Sequence, residues 1–203
     1  MMNNINYKDT LFKRSNLTPI HGKPTFKTLH KFQNKIKANS KSVYSNMGGG
    51  AHDHLVLVLT NAQYSLISPT PFFYPTHPVL LIVLDDTTAH ANSNMRIAHT
   101  KEVCLFHEVT WVEQALVQQI SGTVEEAYLA DICNRTTNSV NNTVVGVITH
   151  LQDNYSQLMP HELLEREDIF EKTIYNPRNP IITVFSAVEE LLEFADITGT
   201  LYT

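Results

Sequence analysis

Cysteine is nearly absent from this chain, and so is any arrangement of side chains that could run a reaction. The two thiols, Cys104 and Cys133, lie inside helical patterns with no Cys-x-x-Cys and no paired histidine, so both read as reduced core residues rather than disulfide or zinc ligands. No charged-then-apolar leader opens the sequence. No apolar run approaches the roughly 20 residues of a membrane span, the longest candidate being Val79–Leu84. A soluble, cytoplasmic protein is expected, and Asn16-Leu-Thr18, Asn134-Arg-Thr136 and Asn141-Asn-Thr143 are then chance matches to the glycosylation pattern. His161-Glu162 opens like a zinc-protease helix, but Glu165 stands where the second His is needed. Asp196-Ile-Thr-Gly199 has one residue too many for an aspartic-protease signature, and no Rossmann glycine pattern occurs. Carboxylates are spread along solvent faces, so no acid and base pair stands out. The expectation is a protein that is not an enzyme, with no cofactor, no metal and no small-molecule substrate.

What the chain does have is an uneven charge. Its net charge is −5, yet residues 1–50 hold nine basic residues (Lys8, Lys13, Arg14, Lys23, Lys27, Lys31, Lys35, Lys37 and Lys41) against Asp9 alone, giving +8. The other residues carry six basic and 19 acidic side chains, giving −13. A basic arm on an acidic body is a usual footprint of phosphate contact; the alternatives are an arm that only solubilises or one that folds onto the acidic body of a neighbouring copy. Lys13, Arg14, Lys23, Lys27, Lys31, Lys35, Lys37 and Lys41 are the candidate nucleic-acid contacts.

At 203 residues and 42% apolar content the chain can build one fair-sized core or two small ones. Met1–Lys23 has little periodicity and reads as disordered. Pro24–Asn39 reads as a short basic amphipathic helix with Phe26, Leu29, Phe32 and Ile36 on one stripe, and packing within the chain is the commonest fate of such a helix. Gly48-Gly-Gly50 then makes either a flexible joint or a place where the backbone passes close to something. His52-Asp53-His54 invites a metal reading, but neighbouring positions point apart and further ligands at helical spacing are missing. Thr60-Asn-Ala-Gln63 has the form of a capping box, and Ser68–Pro78, with four prolines around Phe72, Phe73 and Tyr74, must be extended and irregular. Val79–Leu84 is too short for periodicity to decide, a buried strand-like segment being one reading.

Thr88–Ile120 is the stretch around which the rest is organised. Thr88 can cap a helix with no Gly or Pro inside it, whose apolar stripe runs through Ala89, Met95, Ala98, Val103, Leu105, Phe106, Val109, Val112, Leu116 and Ile120. At about 48 Å it is longer than a small domain is wide and needs other helices along it. Gly122 ends it, and Thr123-Val-Glu-Glu126 is placed to cap a second helix through Ile132. A third is expected over Thr143–Leu158, a fourth from Pro160 to before Asn176, and a fifth over Ile181–Ile197 with Phe185 and Leu192 inward. The result is a mainly α chain: a basic arm over 1–46, a Gly/Pro-rich joint over 47–88 and an all-α body over 89–203. Trp111, Val112 and Leu116 are the candidate self-association residues, Trp111 being either a core plug or an interface anchor.

Several segments together resemble the Gag-like proteins of copia-type retrotransposons. They are Pro24-Thr-Phe-Lys-Thr-Leu-His-Lys31, Asn39-Ser-Lys-Ser-Val43, Asn46-Met-Gly-Gly-Gly-Ala-His-Asp-His-Leu55, Thr123-Val-Glu-Glu-Ala-Tyr-Leu129 with Asn134-Arg-Thr-Thr-Asn138, Thr143–Tyr155 and Phe185–Gly199. The resemblance runs over about residues 24–199. It implies a helical capsid-forming protein, a homo-oligomer that encloses single-stranded element RNA, with the basic segment neutralising phosphate. Asp53 departs from the family, which tends to have Gly there. Gag chains also usually continue through further helices and often a Cys-Cys-His-Cys knuckle, whereas this chain reaches Thr203 without one and reads as a truncated or degenerate copy. The alternative reading is a nucleic-acid-binding regulatory helical module that does not assemble.

Overall fold

The computed structural model describes residues 7–13, 16–83, 88–137, 139–140 and 142–156, with isolated positions between 164 and 192. The chain divides into two compact units, Met1–Ser156 and Gln157–Thr203. The first is built on the long helix α4, Ala89–Ser121. Thr88 starts it by accepting the Ala91 N–H on its hydroxyl at 3.3 Å, and Gly122 ends it, its N–H bonding Gln118 O at 3.0 Å. Around it stand α1 (Tyr7–Leu11), α2 (Phe26–Lys41), α3 (Asn61–Ile67) and α5 (Val144–Tyr155), with 3-10 turns at Leu55–Val58, Glu126–Tyr128 and Ala130–Ile132. The described residues are mainly helical, with no sheet; Ile20 with Val124 and Cys133 with Val140 form isolated bridges.

Only the C-terminal half of α4 is in the core. Val109, Val112, Ala115, Leu116, Gln119 and Ile120 are buried there, while Ala89, Met95, Ile97 and Ala98 are exposed, so the expected stripe is covered over about half its length. The reason is where the partners gather. Leu29, Phe32 and Ile36 of α2, Val56–Val58 of the first 3-10 turn and Val144, Val147, Ile148 and Leu151 of α5 close one core around the lower turns. Gln119 Oε1 accepts from Asn39 Nδ2 at 2.9 Å, and Gln33 Oε1 accepts from Gln152 Nε2 at 3.3 Å, tying α2 to both neighbours. The segment after α3 runs back along α4: the His77 ring packs on Phe106 at 5.0 Å, and His99 Nε2 donates to Val79 O at 2.8 Å. Val79, Leu80 and Ile82 are exposed there and not a buried strand.

The basic N-terminal stretch is not an arm. Phe12, Ile20, Leu29, Phe32 and Ile36 belong to the same core as α4, and Tyr7–Leu11 is helical rather than disordered. The expected boundaries at 46 and 88 therefore do not separate compact units. Lysines set the composition of this stretch, but the apolar residues between them decide its packing.

The glycine run is a close passage. A Cβ on Gly48 would lie 2.2 Å from Tyr64 Oη and 3.2 Å from Phe72, both buried, while Gly49 and Gly50 have φ of 77° and 78°. Phe73 N–H donates to Met47 O at 2.9 Å, so the loop is pinned against the segment that follows α3.

The expected helix after Gly122 is two 3-10 turns instead. Thr123 is buried, its hydroxyl donates to Gln119 O at 2.6 Å, and its carbonyl, which at a helix start would accept the first intrahelical bond, accepts the Ile20 N–H at 2.8 Å instead. Cys133 is half-buried and Cys104 exposed, the latter facing away from the core on α4. Most of the expected fourth and fifth helices lies outside the described residues. In the second unit Ile182, Val184–Ser186, Val188, Glu189 and Leu192 are helical, Asp168 pairs with Lys172 one turn on, and Phe185 and Leu192 are exposed rather than inward.

Leu116→Ala is expected to cost about 2–5 kcal/mol, while Ile97→Ala, on the uncovered half of the same helix, stays within about 0.5 kcal/mol of wild type. Denaturant unfolding of both variants checks the asymmetry. Gly48→Ala, which must push the Tyr64 ring, is expected to lose about 1–3 kcal/mol in the same assay.

Candidate nucleic-acid interface

The lysines that mark the sequence are arranged by α2. Thr25 and Thr28 form its capping box, with Thr25 N–H donating to Thr28 Oγ1 at 2.9 Å. From there Lys27, Lys31 and Lys35 follow at four-residue steps, about 6 Å apart along the helix, with Lys37 and Lys41 beside them. At 100° per residue these five lie opposite Leu29, Phe32, Ile36 and Ser40, which are buried. Burying one stripe therefore leaves the lysines on the other side of the helix, with Lys27, Lys31 and Lys35 in one row and Lys37 and Lys41 across that face from Lys35. Lys27, Lys31, Lys35 and Lys41 are exposed and Lys37 is half-buried. No carboxylate occurs between Asp9 and Asp53, so the helix carries no negative charge of its own. Lys13, in the turn after α1, and Lys23, before α2, are also exposed; Arg14 lies outside the described residues.

At the level of Lys35 the row borders a cleft of about 180 Å³ lined by Asn16, Leu17, Thr18, Lys35, Ala38 and Asn39. Lys35 Nζ donates to Thr18 Oγ1 at 3.1 Å across it. Sequence reasoning missed Asn16, Thr18 and Asn39 as site residues. They are uncharged, and Asn16 and Thr18 sit in an extended stretch without periodicity; the only pattern there was the glycosylation match.

The three candidate association residues divide. Val112 and Leu116 are 1% and 0% exposed, spent on the chain's own core, because both fall on the stripe of α4 that meets the other helices. They present no surface to a second copy. Trp111 is 42% exposed and stacks on Tyr7 of α1 (6.1 Å between ring centres) and on His107 (5.3 Å), so it is neither a core plug nor a bare anchor.

His52, Asp53 and His54 each serve the loop that carries them. His52 Nε2 donates to Ile67 O at 2.9 Å, and Asp53, at φ 48°, accepts the Ser45 N–H at 3.2 Å. His54 is fully buried, its Nδ1 donating to Val43 O at 2.9 Å and its Nε2 3.5 Å from Glu108 Oε1 without an aligned hydrogen bond. Among the described residues no group of three His, Cys, Asp or Glu side chains converges as a metal site would require. No described helix is long and apolar enough to cross a membrane.

One carboxyl on α4 is perturbed. Burial lifts Glu113 above the ordinary carboxylate range. The Tyr74 phenol is raised by its own desolvation first, then by the negative charge of Glu113 and by Tyr64.

No family model matches the chain, and no curated protein or solved structure matches it either.

A carboxyl whose folded-state pKa lies above its unfolded value holds its proton more tightly in the folded chain. The stability linked to it is present at acid pH and is lost as pH rises through the folded value. Glu113→Gln is therefore expected to raise Tm at neutral pH, with the gain shrinking as pH falls through the carboxylate range. Thermal melts at two pH values check this, and a variant that melts at or below wild type at neutral pH contradicts it.

Proposed function

We propose that this chain is a Gag-like structural module of a retrotransposon that contacts single-stranded RNA through the outer face of α2 and associates with further copies of itself. The observation that carries the RNA part is the row of Lys27, Lys31 and Lys35, with Lys41, on the face of α2 opposite its buried stripe. A row of ammonium groups with no carboxylate in its helix suits a flexible polyphosphate better than a compact anion, because each lysine meets a separate phosphate and releases its counterion. The residues around Pro24, Asn46–Leu55 and Thr143–Tyr155 that resemble copia-type Gag proteins support the structural half of the reading. So does the exposure of the apolar residues Val79, Leu80, Ile82, Met95 and Ile97, which a second copy could cover.

The regulatory alternative shares the lysine row and lacks the assembly. Light scattering after size exclusion, with and without RNA, separates them: large particles promoted by RNA support the Gag reading, and a persistent monomer that binds RNA supports the module.

Removing the N-terminal stretch is a poor test, because Phe12, Ile20, Leu29, Phe32 and Ile36 would go with it. Neutralising Lys31, Lys35 and Lys41 to Gln leaves the core intact. The triple variant is expected to bind single-stranded RNA more weakly and to flatten the slope of log K against log salt by about 2. Fluorescence anisotropy across a salt series reads both, and an unchanged slope would remove α2 as the contact.

A further inference from the structure

We propose that the cleft beside Lys35 is a nucleotide subsite. It holds one unit of the RNA strand, phosphate on Lys35 and the polar edge of the base between Asn16 and Asn39. This rests on the RNA reading of α2 and adds to it a place where the base, and not only the charge, is bound.

The hydrogen bonds already made inside the fold decide what each side chain has left to offer. Asn16 Oδ1 accepts from Lys8 Nζ at 3.1 Å, so its amide N–H groups are the donors it can turn to a ligand. Asn39 Nδ2 donates one N–H to Gln119 Oε1 at 2.9 Å, which leaves its second N–H and its Oδ1 acceptor. Lys35 gives one proton to Thr18 Oγ1 at 3.1 Å, and an ammonium has three. The cleft therefore presents the amides of Asn16 and Asn39, the Thr18 hydroxyl and one cation, with Leu17 and Ala38 supplying apolar wall. A nucleobase edge carries donor and acceptor side by side, a base face is apolar, and the attached phosphate is anionic. A bare polyanion would use only the lysine.

The location fits a strand rather than a free nucleotide. Lys31 and Lys27 continue from Lys35 in steps of about 6 Å, so a chain with one base seated in the cleft has phosphates to lay along the row. Bases further along, with only lysines beneath them, are held by charge alone.

The test uses the full chain, Ala38→Gln, which fills the cleft from an exposed helical position without changing charge, and Asn16→Ala, which removes the donor. Two probes are titrated by fluorescence competition: a short labelled single-stranded RNA and inorganic polyphosphate of matched charge, with circular dichroism confirming that each variant folds. The expected result is a loss of RNA affinity of about fivefold or more in both variants, with polyphosphate binding unchanged. RNA affinity equal to wild type in both variants overturns the subsite and leaves the lysine row standing. Equal weakening of the two probes also overturns it, since the cleft would then act only through charge. A wild-type chain that binds neither probe removes the RNA reading and the subsite with it.

Discussion

The rest of the first unit depends on the burial of one stripe along the lower half of α4. Val112, Ala115, Leu116 and Ile120 have almost no exposure, and α1, α2 and α5 pack against that helix. Because α2 must lay Leu29, Phe32 and Ile36 into that core, its lysines have only the outward side left. The charged row is thus a by-product of packing: the core sets its direction and helical geometry sets its spacing. The same constraint explains the glycine run, whose backbone must pass close to Tyr64 and Phe72 for Val56, Leu57 and Val58 to reach the core.

Local signals were the legible part of the sequence. Thr88 and Thr60 with Gln63 cap the helices they precede, since a hydroxyl three residues ahead of a free N–H needs nothing from the rest of the chain. Thr123 had the same spacing to Glu126 and opens no α-helix, because its carbonyl is taken by the Ile20 N–H instead of the first intrahelical bond. That competition involves a helix end and a segment a hundred residues away, Ile20, and leaves no mark in a short window. The periodicity of α4 was equally readable, but a stripe says only that a face is apolar, not which turns find partners; Val112 and Leu116 looked like surplus surface for this reason. Charge segregation misled in the other direction. Nine basic residues in the first fifty suggested a detached arm, while the few apolar residues among them were enough to dock it.

The candidate interface divides along the same line. Lysines at four-residue steps are visible to anyone counting, so the row on α2 could be found without coordinates. The cleft could not. Asn16 and Asn39 are 23 positions apart, neither is charged, and each is held by a residue of another element, Asn16 by Lys8 and Asn39 by Gln119.

The central claim is that RNA meets the outer face of α2 while the core behind it stays unchanged. Amide chemical-shift mapping of the labelled full chain, titrated with single-stranded RNA at low salt, addresses that claim directly. The account predicts shifts along Lys27, Lys31, Lys35 and Lys41 and in the 16–18 stretch, with Val144–Tyr155 of α5 unmoved. Shifts confined to other elements, or none at saturating RNA, would contradict it.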